Sequence, residues 1–410
     1  MGNVYDIVII GGGAAGLFAA ATLSSYIKEG NTPNVLLLEK MHRCGLKIGI
    51  TGKGRCNLTN TKPWNEFSTH IHPKNIFLKN SFYAMSNMGV MEFFERIGLP
   101  LVVERGDRVF PQSMKALDVV AALERHITSG GIEIRKNTPV TSVKHFPDNF
   151  LIEVEGGERF QSKALIVATG GLSYPTTGSS GDGYAFAKGL GHKITPCFPS
   201  LTALKPKNYR EEYHGISLKN VSVQLVVNGD VVQEEFGDLD FTNGGIEGPI
   251  GFKVSRKGVH SIINGQKVEL RLDMKPAVSL KQLQERITRE AKEVKGDPLK
   301  GVLPKLLPAK LTKLFLQENK GVSMTNLHQI LKCWSFPITG YVGYERCVVT
   351  AGGVSLQEVS QKTMESKLVE GLFFAGELLD LDGDTGGYNL QIAFSTGAMA
   401  ANSAINRITR

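Results

Sequence analysis

The sequence YDIVIIGGGAAG, residues 5–16, joins a short apolar run to a cluster of glycines. The run from Tyr5 to Ile10 is rich in β-branched residues and predicts a buried parallel strand. The glycines match the pattern GxGxxG, and the alanine-rich residues 17–27 after them predict a helix. In such a turn the backbone can approach a pyrophosphate, and the helix N-terminus favours its negative charge. The stretch therefore predicts a dinucleotide-binding turn at the start of a Rossmann-like α/β fold.

A second predicted strand, residues 35–38, ends at Glu39, close to the spacing at which a ribose-binding acid follows such a turn. A carboxylate at this position accepts hydrogen bonds from ribose hydroxyls and repels a 2′-phosphate, which argues against NADP as the dinucleotide. FAD and NAD both remain open at this point. The structural alternative is an ordinary glycine turn beside a surface carboxylate.

Composition places the chain among ordinary globular proteins. Its 410 residues suggest two or three domains, and 41% hydrophobic and 21% charged residues exclude a disordered chain. No apolar run reaches the ~18 residues of a membrane span, and residues 1–10 lack the basic start and cleavage site of a signal peptide. The five cysteines are too scattered for a disulfide framework or a metal site. We therefore expect a cytoplasmic enzyme without a membrane segment or a metal site, with a net charge of +8.

Changes of pattern along the chain divide it into four predicted segments. Residues 1–195 and 335–410 alternate strand and helix patterns, and we expect them to form the nucleotide-binding domain together. Residues 196–275 contain strands around an Asn-Gly hairpin turn, and residues 276–334 contain helices interrupted by prolines. A long Gly- and Lys-rich loop lies at residues 43–60. Loops of this length in a compact domain are usually functional.

Two further glycine-containing segments favour FAD over NAD. Residues 165–171, LIVATGG, predict a strand ending in a turn, where the backbone meets a ligand. Residues 371–377, GLFFAGE, predict a similar strand and turn, and Gly386 and Gly387 precede a predicted helix from Tyr388. A helix N-terminus pointing into a pocket can stabilise the negative charge of a reduced flavin. An NAD dehydrogenase does not normally return its C-terminal segment to the dinucleotide, so the order of these segments favours FAD.

At these motifs the chain resembles a family of bacterial FAD-dependent oxidoreductases that includes a ribosomal-RNA dihydrouridine synthase and an enone reductase acting on a bile-acid intermediate. The resemblance covers nearly the whole chain and rests on GxGxxG, GKGRCNLTN at 52–60, ATGGLSYP at 168–175, GDG at 181–183, TAGGV at 350–354, TMESK at 363–367 and residues 375–391. It implies an α/β fold, in which a Rossmann-like FAD-binding domain carries an inserted β-barrel-like domain and a small helical domain. The chain departs from the family at Asn243, where His is more common, and at Glu247, where Ser is more common. A role of that His is therefore not carried over.

The resemblance also implies where FAD would bind. The implied contacts are Gly11, Gly13, Gly16, Glu39, Thr169, Gly170, Gly376, Glu377, Gly387, Tyr388, Asn389 and Leu390. The predicted cofactor site further includes Ala14, Ala15, Lys40, Lys47, Gly54, Arg55, Cys56 and Gly171. No second GxGxxG follows a predicted strand, so NAD(P)H is expected only as an electron donor that visits the flavin transiently.

The activities in this family share one reaction, the reduction of a C=C bond conjugated to a carbonyl. Such a reduction needs a hydride from flavin N5, a group that binds the carbonyl oxygen and an acid that protonates carbon. Arg55, Asn57 and Lys53 are candidates for binding the carbonyl or flavin oxygens. Cys56 is a candidate acid, because the neighbouring cations are expected to promote its ionisation, or else a small buried filler. Tyr388 is a candidate acid or an aromatic side chain packed on the flavin.

Residues 281–320 hold ten basic and five acidic side chains, which is more than half of the positive excess of the whole chain. Such a run is commonly a solvated helical face, but it also suits a surface that follows RNA phosphates. Three alternatives follow. The leading one, favoured by the family, is reduction of uridine to dihydrouridine in ribosomal RNA. The others are reduction or oxidation of a small-molecule enone and a non-catalytic FAD-binding protein.

Overall fold

The chain forms two compact units in a computed structural model that describes residues 3–28 and 33–409. The first unit contains the described residues up to Phe198 and those from Val349 onward. The second unit contains Pro199–Val348. Within the described ranges, no helix has the length and hydropathy that a membrane crossing requires.

A mainly parallel sheet forms the centre of the first unit. Parallel strands are normally covered on both faces, and accordingly all residues of Val35–Leu38 are buried. Across the sheet the strands are Glu133–Arg135, Val35–Leu38, Asn3–Ile10, Arg159–Val167, Asn149–Val154 and Val140–Phe146, and Leu372–Phe374 also pairs with Arg159–Val167. Because Asn3–Ile10 and Val35–Leu38 run parallel, their carboxyl ends bring the glycine turn and Glu39 to the same edge of the sheet. This is the predicted Rossmann-like arrangement.

Two helices meet beside the glycine turn, Gly11–Gly13. The first helix, Ala14–Lys28, follows the turn directly, and the final helix, Tyr388–Ile408, packs against it. The approach is close, since a Cβ on Gly397 would lie 2.4 Å from the carbonyl oxygen of Ala15. The C-terminal segment therefore returns to the glycine turn.

Shorter elements complete the first unit. Its other helices are Leu46–Ile50, Trp64–Phe67, Asn75–Ala84, Asn87–Arg96, Ala116–Ser129 and Asp182–Gly189. Its other strands are Thr59–Asn60, Ile71–His72, Leu101–Glu104, Arg108–Pro111, Val349–Val354 and Asp382–Gly383, with Ile194–Ser200 continuing into the second unit. Ile71–His72 pairs with Asp382–Gly383, so a segment near the start of the chain lies beside the loop that leads into the final helix.

A closed six-stranded barrel forms the centre of the second unit. Around the barrel the strands are Leu204–Pro206, Gly245–Glu247, Asp230–Thr242, Ile216–Val227, Val268–Asp273 and Trp334–Tyr341. Asn228 and Gly229 connect two of these strands with φ values of 53° and 102°, as the predicted hairpin turn requires. Alternate residues of Val268–Asp273 are buried, which places one face of the strand in the barrel interior. The predicted β-barrel-like insertion is therefore a closed barrel.

Five helices accompany the barrel. They are Gly248–Ile263, Leu280–Ala291, Pro298–Leu306, Ala309–Glu318 and Leu327–Lys332. Four of these helices lie in the predicted helical segment 276–334, whereas Gly248–Ile263 lies in the segment predicted to contain strands. Trp334–Tyr341 pairs with the barrel strand Val268–Asp273, because its alternating apolar residues continue the antiparallel sheet. The predicted segment boundary at residue 334 thus falls at the start of a barrel strand, and the second unit continues to Val348.

Candidate functional site

The glycine turn connects the first strand to the first helix. Gly11 has a φ of 105°, and a Cβ there would lie 2.5 Å from the carbonyl oxygen of Ala168. A Cβ on Gly16 would lie 1.8 Å from the carbonyl oxygen of Gly11, so both glycines are required by the packing of the chain itself. Gly13 differs, because a Cβ at this position would meet no atom within 4 Å. The open space at Gly13 lies where the first helix begins and its N–H groups have no intrahelical partner, which fits a pyrophosphate.

Glu39 lies beside the glycine turn with its carboxylate held by backbone groups. Oε2 accepts a hydrogen bond from the N–H of Gly12 at 2.6 Å, and Oε1 accepts one from the N–H of Met41 at 2.7 Å. Burial raises the pKa of this carboxyl, although the two hydrogen bonds act in the opposite direction. A carboxylate oxygen can accept more than one hydrogen bond, so the group still fits hydrogen bonds from ribose hydroxyls. The next predicted contact, Lys40, is engaged by Asp182 at 2.6 Å.

A second polar cluster joins several predicted cofactor segments. The carboxylate of Glu377 accepts a hydrogen bond from the N–H of Thr350 at 2.9 Å and pairs with the ammonium group of Lys47. Ser173 donates a hydrogen bond to the same carboxylate and accepts one from Lys47. The cluster therefore ties the Gly- and Lys-rich loop to three strand ends.

The ATGG turn contains a buried polar atom without a partner. The hydroxyl of Thr169 makes no hydrogen bond with any described residue. Gly170 has a φ of 74°, and a Cβ on Gly171 would lie 2.6 Å from the hydroxyl oxygen of Thr350. Buried hydroxyls in native proteins are normally hydrogen-bonded, so the orphaned group fits contact with a ligand atom.

Gly376 brings the GLFFAGE turn against the first helix. Its φ is 73°, and a Cβ there would lie 2.7 Å from the Cβ of Ala15. Its N–H donates a hydrogen bond to the hydroxyl of Thr396 at 2.9 Å. Ala14, which precedes Ala15, is half-buried. The structure therefore brings the predicted residues from both ends of the chain together at the glycine turn.

The motif loop, residues 52–60, is bonded to the start of the final helix. With its amide oriented so that both ends are satisfied, Asn57 accepts a hydrogen bond from the N–H of Gly387 at 3.1 Å. The amide of Asn60 donates to the carbonyl of Gly386 at 3.2 Å. The predicted role of Asn57 in binding a carbonyl or flavin oxygen is therefore not favoured, because its polar atoms brace the loop.

The loop before the final helix is closed by Asn389. Its amide accepts a hydrogen bond from the N–H of Gly383 at 2.8 Å and donates to the carbonyl of the same residue at 2.7 Å. Leu390 is half-buried beside it. Because the Asn389 side chain is used within the chain, a cofactor contact here would come from backbone N–H groups at the helix N-terminus.

Tyr388 is packed against other rings of the chain. The residue is 3% exposed, and its ring stacks on that of His70 with centroids 4.4 Å apart. Phe67 meets it edge-on at 4.8 Å. Burial and the negative charge of Asp384 raise the pKa of the hydroxyl. These contacts favour a packing role of Tyr388 over the acid role, with the imidazole of His70 stacked on its ring.

Arg55 lies on an aromatic ring at the edge of the motif loop. Its guanidinium carbon is 4.7 Å from the centroid of Phe110, and Nη1 is 3.4 Å from each carboxylate oxygen of Glu104. Its side chain is still 42% exposed, Lys53 is exposed, and a Cβ on Gly54 would meet no atom within 4 Å. This part of the loop is open to a ligand.

The expectation that nearby cations promote ionisation of Cys56 is wrong. The residue is 0% exposed, and burial raises the pKa of the thiol to about 12, with only partial opposition from a hydrogen bond with Thr51. Arg55 is turned towards Glu104 instead. The geometry supports the alternative role of Cys56, a small buried filler.

Sequence reasoning misses one cluster of titratable side chains beside the final helix. Nδ1 of His70 lies 2.8 Å from Oδ2 of Asp384, and Nε2 of His72 lies 3.3 Å from Oδ1. The pairing of Ile71–His72 with Asp382–Gly383 holds the imidazoles against the carboxylate. The HxH pattern before a proline is the available signal, but 314 residues separate His70 from Asp384 in sequence.

At the departure from the family pattern, Asn243 accepts a hydrogen bond from Nη1 of Arg346 at 2.7 Å. Both residues are exposed and lie in the second unit. Glu247 stands directly before the helix Gly248–Ile263. An amide paired with a guanidinium therefore occupies the position at which the resemblance leads us to expect an imidazole.

Comparisons with known proteins agree with this architecture. A family model described as "HI0933-like protein Rossmann domain" matches residues 5–403. The chain is 31% identical to a 3-dehydro-bile acid delta(4,6)-reductase from Clostridium scindens, over 98% of this chain and 99% of the relative. It is 30% identical to a ribosomal RNA dihydrouridine synthase from Haemophilus influenzae, again over 98% and 99%. A solved 3-ketosteroid-delta4-(5alpha)-dehydrogenase from Rhodococcus jostii superposes with a TM-score of 0.51 at 12% identity, over 98% of this chain and 97% of that one, which shows a shared fold.

Proposed function

The chain belongs to the HI0933-like Rossmann-domain family of FAD-dependent oxidoreductases, and from this premise we propose that it reduces a C=C bond conjugated to a carbonyl. The proposed substrate is uridine in ribosomal RNA, which becomes dihydrouridine. The C5=C6 bond of uracil is conjugated to the C4 carbonyl, as the double bond of an enone is to its ketone. NAD(P)H is the proposed electron donor, approaching transiently.

The proposed cofactor site combines open space at Gly13, a carboxylate beside the glycine turn and a hydroxyl without a partner among the described residues. Gly13 and the N-terminus of the first helix would hold the pyrophosphate, Glu39 would accept hydrogen bonds from the ribose, and Thr169 would bond through its free hydroxyl. When bound, FAD supplies the hydride for the reduction. Arg55, on the open part of the motif loop, would bind the substrate carbonyl oxygen and favour negative charge there.

The RNA assignment is carried by the basic helical surface, which we define as seven cations between residues 281 and 320. They are Lys281, Arg289, Lys292, Lys295, Lys310, Lys313 and Lys320. All seven are exposed, and none forms an ion pair with a described residue. Of the five acids in this segment, Glu290 is already paired with Arg286 and Glu293 with Lys305. Unpaired cations suit phosphates, and each neutralised phosphate adds salt-dependent affinity.

A small-molecule enone is the second candidate substrate. It is favoured by the near full-length similarity to a relative named for reduction of a 3-dehydro-bile acid. A small ketone has no phosphates, so its reduction is expected to be independent of the basic helical surface.

Purified holoenzyme with NAD(P)H distinguishes the two substrates. Dihydrouridine in added ribosomal RNA is measured by mass spectrometry, and consumption of a soluble unsaturated ketone is followed in parallel. Lys310→Glu with Lys313→Glu removes two phosphate contacts and adds repulsion, so RNA reduction is expected to fall by at least about 10-fold at low salt. The matched control reverses two exposed lysines of the first unit, Lys79→Glu with Lys144→Glu, and is expected to keep wild-type RNA activity.

Each outcome selects one substrate class. Dihydrouridine that depends on Lys310 and Lys313 but not on the control pair supports the RNA assignment. Reduction of the ketone alone, at the same rate in all variants, replaces RNA by a small-molecule substrate. Failure of the wild-type holoenzyme to reduce either acceptor refutes the proposed reaction.

A further inference from the structure

We propose that His70 is the proton donor of this reduction and that Asp384 positions its imidazole. The inference rests on the proposed function, because reduction of a conjugated C=C bond requires an acid as well as a hydride. It assigns a role to two residues that the motifs leave without one.

The geometry is that of an imidazole oriented by a carboxylate. The Nδ1–H of His70 donates to Asp384 at 2.8 Å, and the ring is fixed on its face by Tyr388, at 4.4 Å. The other ring nitrogen, Nε2, makes no hydrogen bond with any described residue, and the side chain is 24% exposed. The orienting bond at one nitrogen thus leaves the other free to carry a proton to a ligand.

Asp384 remains ionised throughout the neutral range. Burial by itself would raise the pKa of this carboxyl, but the hydrogen bonds from His70 and His72 outweigh it and hold the pKa at about 2. The carboxylate therefore stays an acceptor for the Nδ1–H of His70. His72 uses Nε2 for its bond at 3.3 Å, which leaves only Nδ1, next to its own backbone. His70 is therefore the better donor of the pair.

Asp384, the partner of His70, lies in the loop that the motif segments bind on both sides. Asp384 directly follows Gly383, which Asn389 binds from the final helix. Two residues further on, the motif loop binds Gly386 and Gly387. The other candidate acids are poorly suited, because Cys56 is sealed from solvent and burial raises the pKa of Tyr388.

The proposed step balances in atoms and electrons. Reduction adds one hydride and one proton, and the hydride, which belongs to the cofactor's chemistry, goes to the β carbon. The proton leaves Nε2 of the His70 imidazolium and forms a C–H bond at the α carbon with the electron pair of the broken π bond. The imidazole is left neutral, with Nδ1–H still donated to Asp384, and takes its next proton from water.

The test separates proton transfer from electron transfer. The holoenzyme is reduced with dithionite and mixed with an acceptor in a stopped-flow instrument. Ferricyanide accepts electrons and needs no proton on carbon, whereas 2-cyclohexenone and ribosomal RNA are carbon acceptors that need one. The readout is the ratio of the rate constants for the carbon acceptor and for ferricyanide. His70→Phe keeps a ring to stack on Tyr388 but has no nitrogen, and the ratio is expected to fall by about 100-fold or more. His145→Phe, an exposed histidine of the first unit, is the matched control.

Two further measurements exclude a merely structural role. The pH profile of the carbon-acceptor rate is expected to differ between wild type and His70→Phe, because the variant lacks the proposed proton donor. The charged or titratable groups that face His70 and Tyr388 are Asp384, His72, Glu66 and Asp107. Carboxyl NMR should show the pKa of Asp384 rising from about 2 in His70→Phe, with or without FAD, because a stabilising hydrogen bond is lost. His70→Gln repeats the tests if the Phe variant does not fold.

The outcomes keep this inference distinct from the proposed function. If wild type reduces the carbon acceptor and the ratio in His70→Phe stays within threefold of the wild-type ratio, the role of His70 is overturned but the proposed function is not. A pKa of Asp384 that does not change overturns the geometry on which the role depends. A wild-type enzyme that reduces ferricyanide but neither carbon acceptor overturns the proposed function, and the proton-donor role with it.

Discussion

Replacing Gly13 by alanine separates cofactor binding from folding. A Cβ on Gly13 would meet no atom of a described residue within 4 Å, and its φ lies outside the left-handed region. The methyl group therefore enters only the space proposed for the pyrophosphate. Gly16→Ala would give no such separation, because its Cβ would lie 1.8 Å from the carbonyl oxygen of Gly11.

The magnitudes follow from these contacts. Without FAD, the reduced backbone freedom of the unfolded chain favours Ala by about 0.4–1 kcal/mol, and the less favourable helix start opposes it by a similar amount. The free energy of unfolding of Gly13→Ala is thus expected to stay within about 1 kcal/mol of wild type. Hydrogen bonds to a charged group contribute about 1.5–3 kcal/mol each, so displacing a phosphate from one or two N–H groups costs about 2–4 kcal/mol. This corresponds to a roughly 30- to 1,000-fold weaker affinity for FAD.

The assay is titration of apoprotein with FAD, followed by flavin fluorescence, together with thermal unfolding without FAD. Gly189→Ala is the matched control, because this exposed helical glycine also has no atom within 4 Å of a Cβ. We expect the control to bind FAD as wild type does. If Gly13→Ala binds FAD within threefold of wild type, the pyrophosphate does not approach Gly13, and the assignment of the site is refuted.

Three further predictions concern side chains at the candidate site. Cys56→Ala is expected to lower the free energy of unfolding by about 1 kcal/mol and to leave turnover within threefold of wild type, since the thiol is a buried filler; a 100-fold loss of turnover would contradict this. The low pKa of Asp384 contributes about 2 kcal/mol to the free energy of unfolding, a contribution that is present above pH 4 and lost as pH falls towards 2. Urea unfolding of Asp384→Asn at several pH values should therefore lack this acid-sensitive loss of stability. A dependence on pH that is the same in the variant and in wild type would count against it. Lys47→Met removes the cation that pairs with the Glu377 carboxylate, which is 18% exposed, and should lower the free energy of unfolding by about 1–3 kcal/mol. The double variant Lys47→Met with Glu377→Gln should recover a part of this loss. Equal stability of the single and double variants would exclude the pairing.

The fold of the first unit was predictable because its signals are local. An apolar run, a glycine turn and a helix pattern stand next to one another at residues 5–27, and each is visible without knowledge of distant contacts. The helix Gly248–Ile263 was not predictable in the same way, because its glycines and its position after a short strand resemble a loop in sequence. Burial of Val254 and Val259 stabilises it, and such tertiary packing is absent from a local pattern.

The candidate site divides along the same line. Gly11, Gly13 and Glu39 belong to one short segment of chain, and the structure brings them together at one edge of the sheet as their spacing predicts. The protonation behaviour of Cys56 could not be predicted, because flanking cations are visible in sequence while burial is not. The contact between His70 and Asp384 spans 314 residues and depends on a two-residue strand pairing that no local pattern announces.

Two of the motif strings are joined by hydrogen bonds, which explains why both occur in this chain. Asn57 accepts from Gly387, and Thr59 donates to Gln391 at 2.6 Å, so the GRCNLTN string and the GGYNLQ string are hydrogen-bond partners. Their residue types are constrained by this mutual fit, since replacing either partner leaves a buried polar group unsatisfied. A sequence motif can therefore contain residues that hold the site in shape as well as residues that take part in the reaction. His70 lies outside every motif, which explains how a side chain with a free nitrogen and an orienting carboxylate escapes a search by motif.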